Sequence, residues 1–111
     1  MLDIDILTQP NQATLKLTGQ IDPATVAPFR QQLEQLLALG CRTILLDLEE
    51  LDFLYSEGLG VMIDFALRLR GQGGQLRVVA ACKRIASLLE ICGLTELMCA
   101  GAALKPPTAV C

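Results

Sequence analysis

Residues 47–70 read DLEELDFLYSEGLGVMIDFALRLR, and this stretch decides the fold. A buried strand over residues 44–48 leads through a short loop into an amphipathic helix that starts at Ser56. The first N–H groups of a helix have no partner inside it, so the Ser56 side chain is expected to cap them. The same helix end attracts anions through those N–H groups and the helix dipole. Ser56 is therefore either a plain cap or a hydroxyl whose phosphorylation the helix end would feel.

Two glycines stand in the first turn of this helix, at Gly58 and Gly60. Each weakens a helix by about 0.8–1 kcal/mol relative to alanine. Such a cost predicts that the backbone there stays uncovered or approaches another part of the protein closely.

The same helix is apolar over more than one face. One stripe at helical spacing consists of Leu59, Met62, Ile63, Ala66 and Leu69. Val61, Phe65 and Leu67 widen the apolar surface beyond that stripe. Either a neighbouring element or a partner protein covers this second surface, and the sequence supports both equally.

Composition sets the class of protein. A chain of 111 residues, 52% of them hydrophobic, predicts one domain over residues 1–111 with a real core. No run approaches the ~18 consecutive apolar residues that span a membrane. The first ten residues carry aspartates where a signal peptide would carry positive charge. These features predict a cytoplasmic protein with no direct membrane insertion.

Charge and residue usage exclude several kinds of site. The net charge is −3, no block of lysine or arginine occurs, and 4% of residues are aromatic, which argues against nucleic-acid binding. The chain has no histidine, so a Ser–His or Cys–His nucleophile is excluded. The five cysteines have no CxxC spacing and predict no metal site. We therefore expect no enzyme, no cofactor and no metal.

Two alternating stretches open the chain. Residues 2–7 place leucine and isoleucine on one face and aspartate on the other, and residues 13–18 alternate in the same way. The QPNQ between them, at residues 9–12, is typical of a turn. These stretches predict a β-hairpin with one covered face.

A first helix follows the hairpin. Asp22 before Pro23 is typical of a helix N-cap with proline at the first helical position. Apolar residues then recur at helical spacing until Gly40 ends the helix; they are Val26, Phe29, Leu33, Leu36 and Leu37.

Strands and helices alternate through the rest of the chain. The continuous apolar run at residues 44–46 predicts a central strand covered on both faces. Residues 75–81 predict a further strand, and a third helix follows with Ile85, Leu88, Leu89 and Cys92 on one face. A short strand over residues 94–99 and a loosely held tail from about residue 101 complete the prediction.

The fold class that follows is α/β. Strand–helix–strand crossovers predict a mainly parallel sheet of four to five strands, with the N-terminal hairpin at one edge. Three or more helices pack on this sheet.

Four segments of the chain resemble the STAS domain, the sulfate-transporter and anti-sigma-factor-antagonist family. They are LTGQID at residues 17–22, ILLDL at 44–48, the LDF to SEGLGV region at 51–61, and ICGL at 91–94. Their spacing matches the family over nearly the whole chain. The resemblance implies a STAS-like fold and a free-standing antagonist rather than a domain attached to a transporter.

The resemblance also implies a partner switch. In the family, an anti-sigma factor with serine kinase activity phosphorylates a residue that Ser56 matches. The unmodified antagonist binds the anti-sigma factor, the phosphorylated form does not, and a serine phosphatase restores binding. ATP belongs to the kinase, so no cofactor is expected here. The resemblance implies a partner-binding surface made of Asp22, Tyr55, Ser56, Glu57, Gly58, Leu59 and Gly60.

Two residues depart from the family pattern. Tyr55 stands where the family usually has aspartate, and Glu57 stands where it usually has serine or threonine. Both favour an alternative, an unphosphorylated STAS interaction subunit or scaffold, for example in a lipid-transport ABC complex or a signalling assembly. The partner, the pathway and the oligomeric state do not follow from the sequence.

Overall fold

The fold is taken from a computed structural model that describes residues 1–91. The predicted strand over residues 94–99, Cys92 at the end of the third helix and the tail from residue 101 lie outside the described residues. The elements follow the order β1 (Leu2–Gln9), β2 (Gln12–Ile21), α1 (Val26–Ala38), β3 (Thr43–Leu48), β4 (Leu51–Leu54), α2 (Ser56–Gly71), β5 (Gln75–Ala81) and α3 (Lys83–Ile91).

The five strands form one mainly parallel sheet, as predicted. The strand order is β1-β2-β3-β5, and β4 pairs with β2. Among the strands of residues 1–91, only β1 and β2 pair antiparallel, and they place the hairpin at one edge. Gln9 pairs with Gln12 across a two-residue turn, in which Asn11 takes a φ of 64°. Asparagine tolerates this left-handed conformation better than most residues, which explains the turn.

The strand β4 was not predicted from the sequence, which indicated a loop between β3 and the second helix. β2 is long enough for two parallel partners on the same side: residues 12–16 pair with β3, and residues 19–21 pair with β4. Within the pairing with β4 the register shifts between Gly19 and Gln20, which pair with Leu51 and Phe53. A strand of four residues has too little periodicity to be recognised in isolation.

The core lies on one face of the sheet. Alternate residues of β2 and β3 are fully buried there: Ala13, Leu15, Leu17, Ile44, Leu46 and Leu48. Leu45, on the opposite face, is only half-buried, so the prediction that β3 is covered on both faces is wrong for the described residues. The apolar run at residues 44–46 correctly predicted a strand, but it did not predict which of its side chains are fully buried.

The first helix starts later than predicted. α1 begins at Val26, and residues 23–25 form a turn rather than helix. Asp22 therefore caps this turn and not the helix. Four of the five predicted core residues are buried, and Leu37 is partly buried.

The second surface of α2 is covered by the protein itself. Val61 and Phe65 are fully buried, so neighbouring elements cover them rather than a partner. Leu67 remains about half exposed, at 52%. On its outer side α2 is linked to α1, because the Arg68 guanidinium donates two hydrogen bonds to the Glu34 carboxylate, at 3.0 and 3.1 Å.

Candidate partner-binding site

The end of β2 and the start of α2 meet at the same edge of the sheet. The backbone N–H of Tyr55 donates a 3.1 Å hydrogen bond to the carbonyl oxygen of Ile21. Asp22 follows Ile21 directly, and Ser56 follows Tyr55. One backbone contact thus brings together Asp22 and Ser56, two residues that the sequence predicted for the site, although they are 34 positions apart in the chain.

Ser56 does not cap α2. The helix begins at Ser56 itself, and the N-cap position belongs to Tyr55, with φ −89° and ψ 171°. The Tyr55 side chain forms no capping hydrogen bond with the helix. The capping prediction is therefore wrong, because a capping side chain must stand one residue before the first helical residue. The Ser56 side chain is exposed, and its hydroxyl makes no hydrogen bond with any of residues 1–91.

The two glycines in the first turn of α2, Gly58 and Gly60, have different surroundings. A Cβ atom on Gly58 would lie 2.7 Å from Cγ2 of Ile21 and 2.7 Å from Cδ1 of Leu54. A side chain there would force the helix or the Ile21 and Leu54 side chains to shift. Gly60 is exposed, and a Cβ atom on it would meet nothing within 4 Å. The close approach predicted from the glycines holds for Gly58, and the uncovered backbone holds for Gly60.

The acidic residues Glu57 and Asp22 lie near the Tyr55 phenol. Partial burial raises the pKa of Tyr55, and the negative charge and hydrogen bonding of Glu57 and the negative charge of Asp22 raise it further. The phenol thus stays neutral at ordinary pH. The carboxylates of Asp22 and Glu57 are close enough to Tyr55 to influence its pKa. Glu57 also lies in the first turn of α2, where a carboxylate suits the helix dipole.

A tight turn holds Asp22. Its Oδ1 atom accepts the backbone N–H of Ala24 at 2.9 Å and that of Thr25 at 3.1 Å. The Thr25 hydroxyl accepts the backbone N–H of Asp22 at 2.9 Å. Sequence reasoning missed Thr25, although a threonine three residues after a turn-forming aspartate was a usable signal.

The predicted site residues fall into three groups by exposure. Ser56, Glu57 and Gly60 are exposed, and Asp22 and Tyr55 are half-buried. Gly58 and Leu59 are buried, so they shape the site from below rather than form its surface. Within residues 1–91, no group of three or more acidic or cysteine side chains could hold a metal ion. Ser56, Glu57 and Gly60 are therefore the members of the predicted site that solvent reaches most freely.

Comparison with known proteins identifies the family. The family model described as "Mlab, STAS domain" matches residues 4–100. An anti-sigma-B factor antagonist of Staphylococcus aureus (strain NCTC 8325 / PS 47) is 31% identical over 97 residues, which are 87% of this chain and 90% of that protein. This relative is named for regulation rather than for catalysis. No helix in the described part of the chain has the length and apolar character to cross a membrane.

Solved structures share the fold at lower identity. An anti-sigma factor antagonist from Mycobacterium paratuberculosis superposes with a TM-score of 0.79 at 19% identity, over 88% of this chain and 83% of that chain. The antagonist SpoIIAA in its unphosphorylated form gives 0.73 at 20% identity, over 88% and 85%. The Bacillus cell fate determinant SpoIIAA in the phosphorylated form gives 0.68 at 20% identity, over 88% of each chain. By its match to the family model and to the S. aureus relative, this chain belongs to the STAS domain family, among relatives that are anti-sigma factor antagonists.

Proposed function

We propose that this chain is an anti-sigma factor antagonist of the partner-switching kind. Unmodified, it binds an anti-sigma factor with serine kinase activity. Phosphorylation at Ser56 releases that partner, and a serine phosphatase restores binding. The observation that carries the proposal is the exposed Ser56 hydroxyl, which starts α2 without capping it. The chain acts in the cytoplasm, is not an enzyme and needs no cofactor of its own.

The helix end can tolerate a phosphate on Ser56. A phosphoserine adds about −1.5 to −2 charge and three acceptor oxygens. The first N–H groups of α2 lack partners inside the helix and would be available to these oxygens. The modification is therefore expected to change the surface and leave the fold in place.

The same phosphate would oppose docking. A partner surface that fits a neutral hydroxyl would have to accommodate added charge and would lose desolvated contacts. Asp22 and Glu57 already make this surface negative, so the phosphate increases an existing charge rather than reversing one. Gly60 favours close docking, because its backbone is exposed and has no side chain to keep a partner away.

Glu57 supports a second candidate function. Its carboxylate lies one residue from Ser56 and would repel a phosphate there. A kinase that reads an aspartate before the serine would meet Tyr55 instead. In this reading the chain is an unphosphorylated STAS interaction subunit or scaffold, and the same surface binds its partner without a switch.

The phosphorylation state of Ser56 in the native protein distinguishes the two candidate functions. The protein is purified from its own cells during growth and under stress, and the peptide that contains Ser56 is fragmented by mass spectrometry. Partial phosphorylation at Ser56 supports the switch. An unmodified Ser56 in both conditions, together with a bound partner, contradicts the switch and supports the scaffold.

Binding tests the mechanism. The partner retained by the immobilised wild-type chain is identified, expressed alone and titrated against purified variants. Ser56→Ala should bind as the wild type does, whereas Ser56→Asp should bind at least about tenfold more weakly. Thr8→Asp is the matched control. Thr8 is exposed on β1 and pairs with Ala13 near the start of β2, whereas Asp22 follows the last residue of β2. Equal binding by Ser56→Asp and wild type would contradict the proposal.

A further inference from the structure

A threonine at the start of α1 contacts the backbone at the end of β2. Thr25 is the N-cap residue of α1, and its side chain forms no capping hydrogen bond with that helix. Threonine at this position ordinarily stabilises its helix by such a bond. Here the hydroxyl instead turns back toward the end of β2. With the Asp22 carboxylate, the hydroxyl forms the reciprocal pair of hydrogen bonds of a capping box, in the turn that precedes α1.

The Thr25 hydroxyl bridges the backbone on both sides of Ile21. It donates a hydrogen bond to the carbonyl oxygen of Gln20 at 2.8 Å. It also accepts the backbone N–H of Asp22 at 2.9 Å. The Asp22 carboxylate closes the turn, since its Oδ1 accepts the backbone N–H groups of Ala24 and Thr25. The Thr25 hydroxyl thus holds the backbone in place from Gln20 to Asp22, where β2 ends.

One oxygen of the Asp22 carboxylate, Oδ1, is engaged in this turn and lies 3.2 Å from the Thr25 hydroxyl, and the other oxygen is available. Within residues 1–91, Oδ2 of Asp22 takes no hydrogen bond or ion pair, whereas Oδ1 takes two backbone donors. The carbonyl oxygen of Ile21 also accepts the N–H of Tyr55 at 3.1 Å. Ile21 lies between the two backbone groups that the Thr25 hydroxyl bridges, so the bridge is adjacent to the contact that brings Asp22 and Ser56 together. An ionised carboxylate oxygen can only accept hydrogen bonds, so it suits a donor from outside.

We infer that Thr25 is a positioning residue of the partner-binding surface. Its hydroxyl holds Asp22 so that Oδ2 is presented beside Ser56 to a lysine or arginine side chain of the partner. A charge-assisted hydrogen bond of this kind is directional and depends on where the acceptor lies. The inference rests on the proposed function, because it names the chemistry that the same surface recognises.

A double-mutant cycle tests the inference on the purified partner. Affinity is measured for wild type, Thr25→Val, Asp22→Ala and the double variant Asp22→Ala/Thr25→Val. Valine keeps the shape of threonine and removes the hydroxyl, so Thr25→Val should bind about fivefold more weakly. If Thr25 acts through Asp22, the double variant should bind no more weakly than Asp22→Ala alone. Additive losses would overturn the inference.

Thr25→Ser gives a second, independent result. Serine retains the hydroxyl and can form the same two hydrogen bonds, so binding should stay within about twofold of wild type. A loss of about fivefold or more in Thr25→Ser would overturn the inference, and this result stands even if the valine variant does not fold. Failure of the proposed function looks different, because then neither Ser56→Asp nor Asp22→Ala would weaken binding. Wild-type affinity of Thr25→Val beside weakened Asp22→Ala would overturn only the role of Thr25.

Discussion

The backbone N–H of Tyr55 donates to the carbonyl oxygen of Ile21, and this 3.1 Å hydrogen bond joins the two halves of the candidate site. It places the last residue of β2 against the residue that precedes α2. Asp22 and Ser56, the next residue in each segment, consequently lie at one edge of the sheet. The contact needs a close approach of α2 to the sheet, which Gly58 permits by having no side chain.

Alanine at Gly58 and at Gly60 should change stability in opposite directions. The added methyl group at Gly58 would meet Ile21 and Leu54 at 2.7 Å, and such overpacking costs about 1–3 kcal/mol. At Gly60 the methyl group meets nothing, and the better helix propensity should raise the free energy of unfolding by about 0.8–1 kcal/mol. Urea unfolding curves with a common m-value check both. Equal effects at the two positions would contradict the packing described here.

Gly60→Ala should bind the partner more weakly although it folds more stably. If a partner approaches the exposed backbone at Gly60, an added methyl group should lower the affinity about tenfold. Titration of the purified partner measures this change. Gly71→Ala is the matched control, because Gly71 ends the same helix and a Cβ atom there also meets nothing within 4 Å. A loss of affinity in both variants would point to a general change in the helix.

Tyr55 should titrate above the ordinary tyrosine pKa of about 10. It is the only tyrosine in a chain without tryptophan, so tyrosinate absorbance reports its pKa directly. Partial burial is the main cause of the raised pKa, and the Glu57 carboxylate adds to it. Glu57→Gln should therefore lower the pKa of Tyr55, whereas Glu90→Gln, on α3, should leave it unchanged.

The raised pKa of Tyr55 also predicts how stability depends on pH. Between the unfolded and the folded pKa, the folded chain holds a proton that the unfolded chain has lost. The stability gained from the neutral phenol is therefore complete below about pH 10 and is lost as the pH rises through the folded pKa. Tyr55→Phe should show a smaller loss of unfolding free energy over this interval. If the unfolding free energies of wild type and Tyr55→Phe fell equally with rising pH, the prediction would be contradicted.

The contact between Arg68 and Glu34 should stabilise the protein only above acidic pH. Hydrogen bonds from the Arg68 guanidinium lower the pKa of Glu34. This contribution is present above the unfolded glutamate pKa of about 4.3 and is lost as the pH falls through the lower folded pKa. Arg68→Gln should therefore differ from wild type in unfolding free energy at neutral pH and differ less in acid. Arg42→Gln, which loses only a hydrogen bond to neutral Gln72, should show no such pH dependence.

Local patterns in the sequence predict much of this fold. Alternation over residues 2–7 and 13–18 gave the hairpin, and apolar residues at helical spacing gave α1, α2 and α3. These signals survive in the chain alone because each depends on residues within a few positions of one another. The same locality explains the resemblance to the STAS family, whose segments lie along these elements.

The sequence by itself determined the α/β class, the parallel crossovers and the position of Ser56 at the start of a helix. Only the tertiary structure decided that β4 pairs with β2, that Phe65 is covered by the protein, and that Ser56 leaves the cap position to Tyr55. It also decided that the Thr25 hydroxyl turns toward β2 and not toward its own helix. The physical reason is common to these features. Each depends on how closely two distant segments approach, as at Gly58 and Ile21, and no local pattern records that distance.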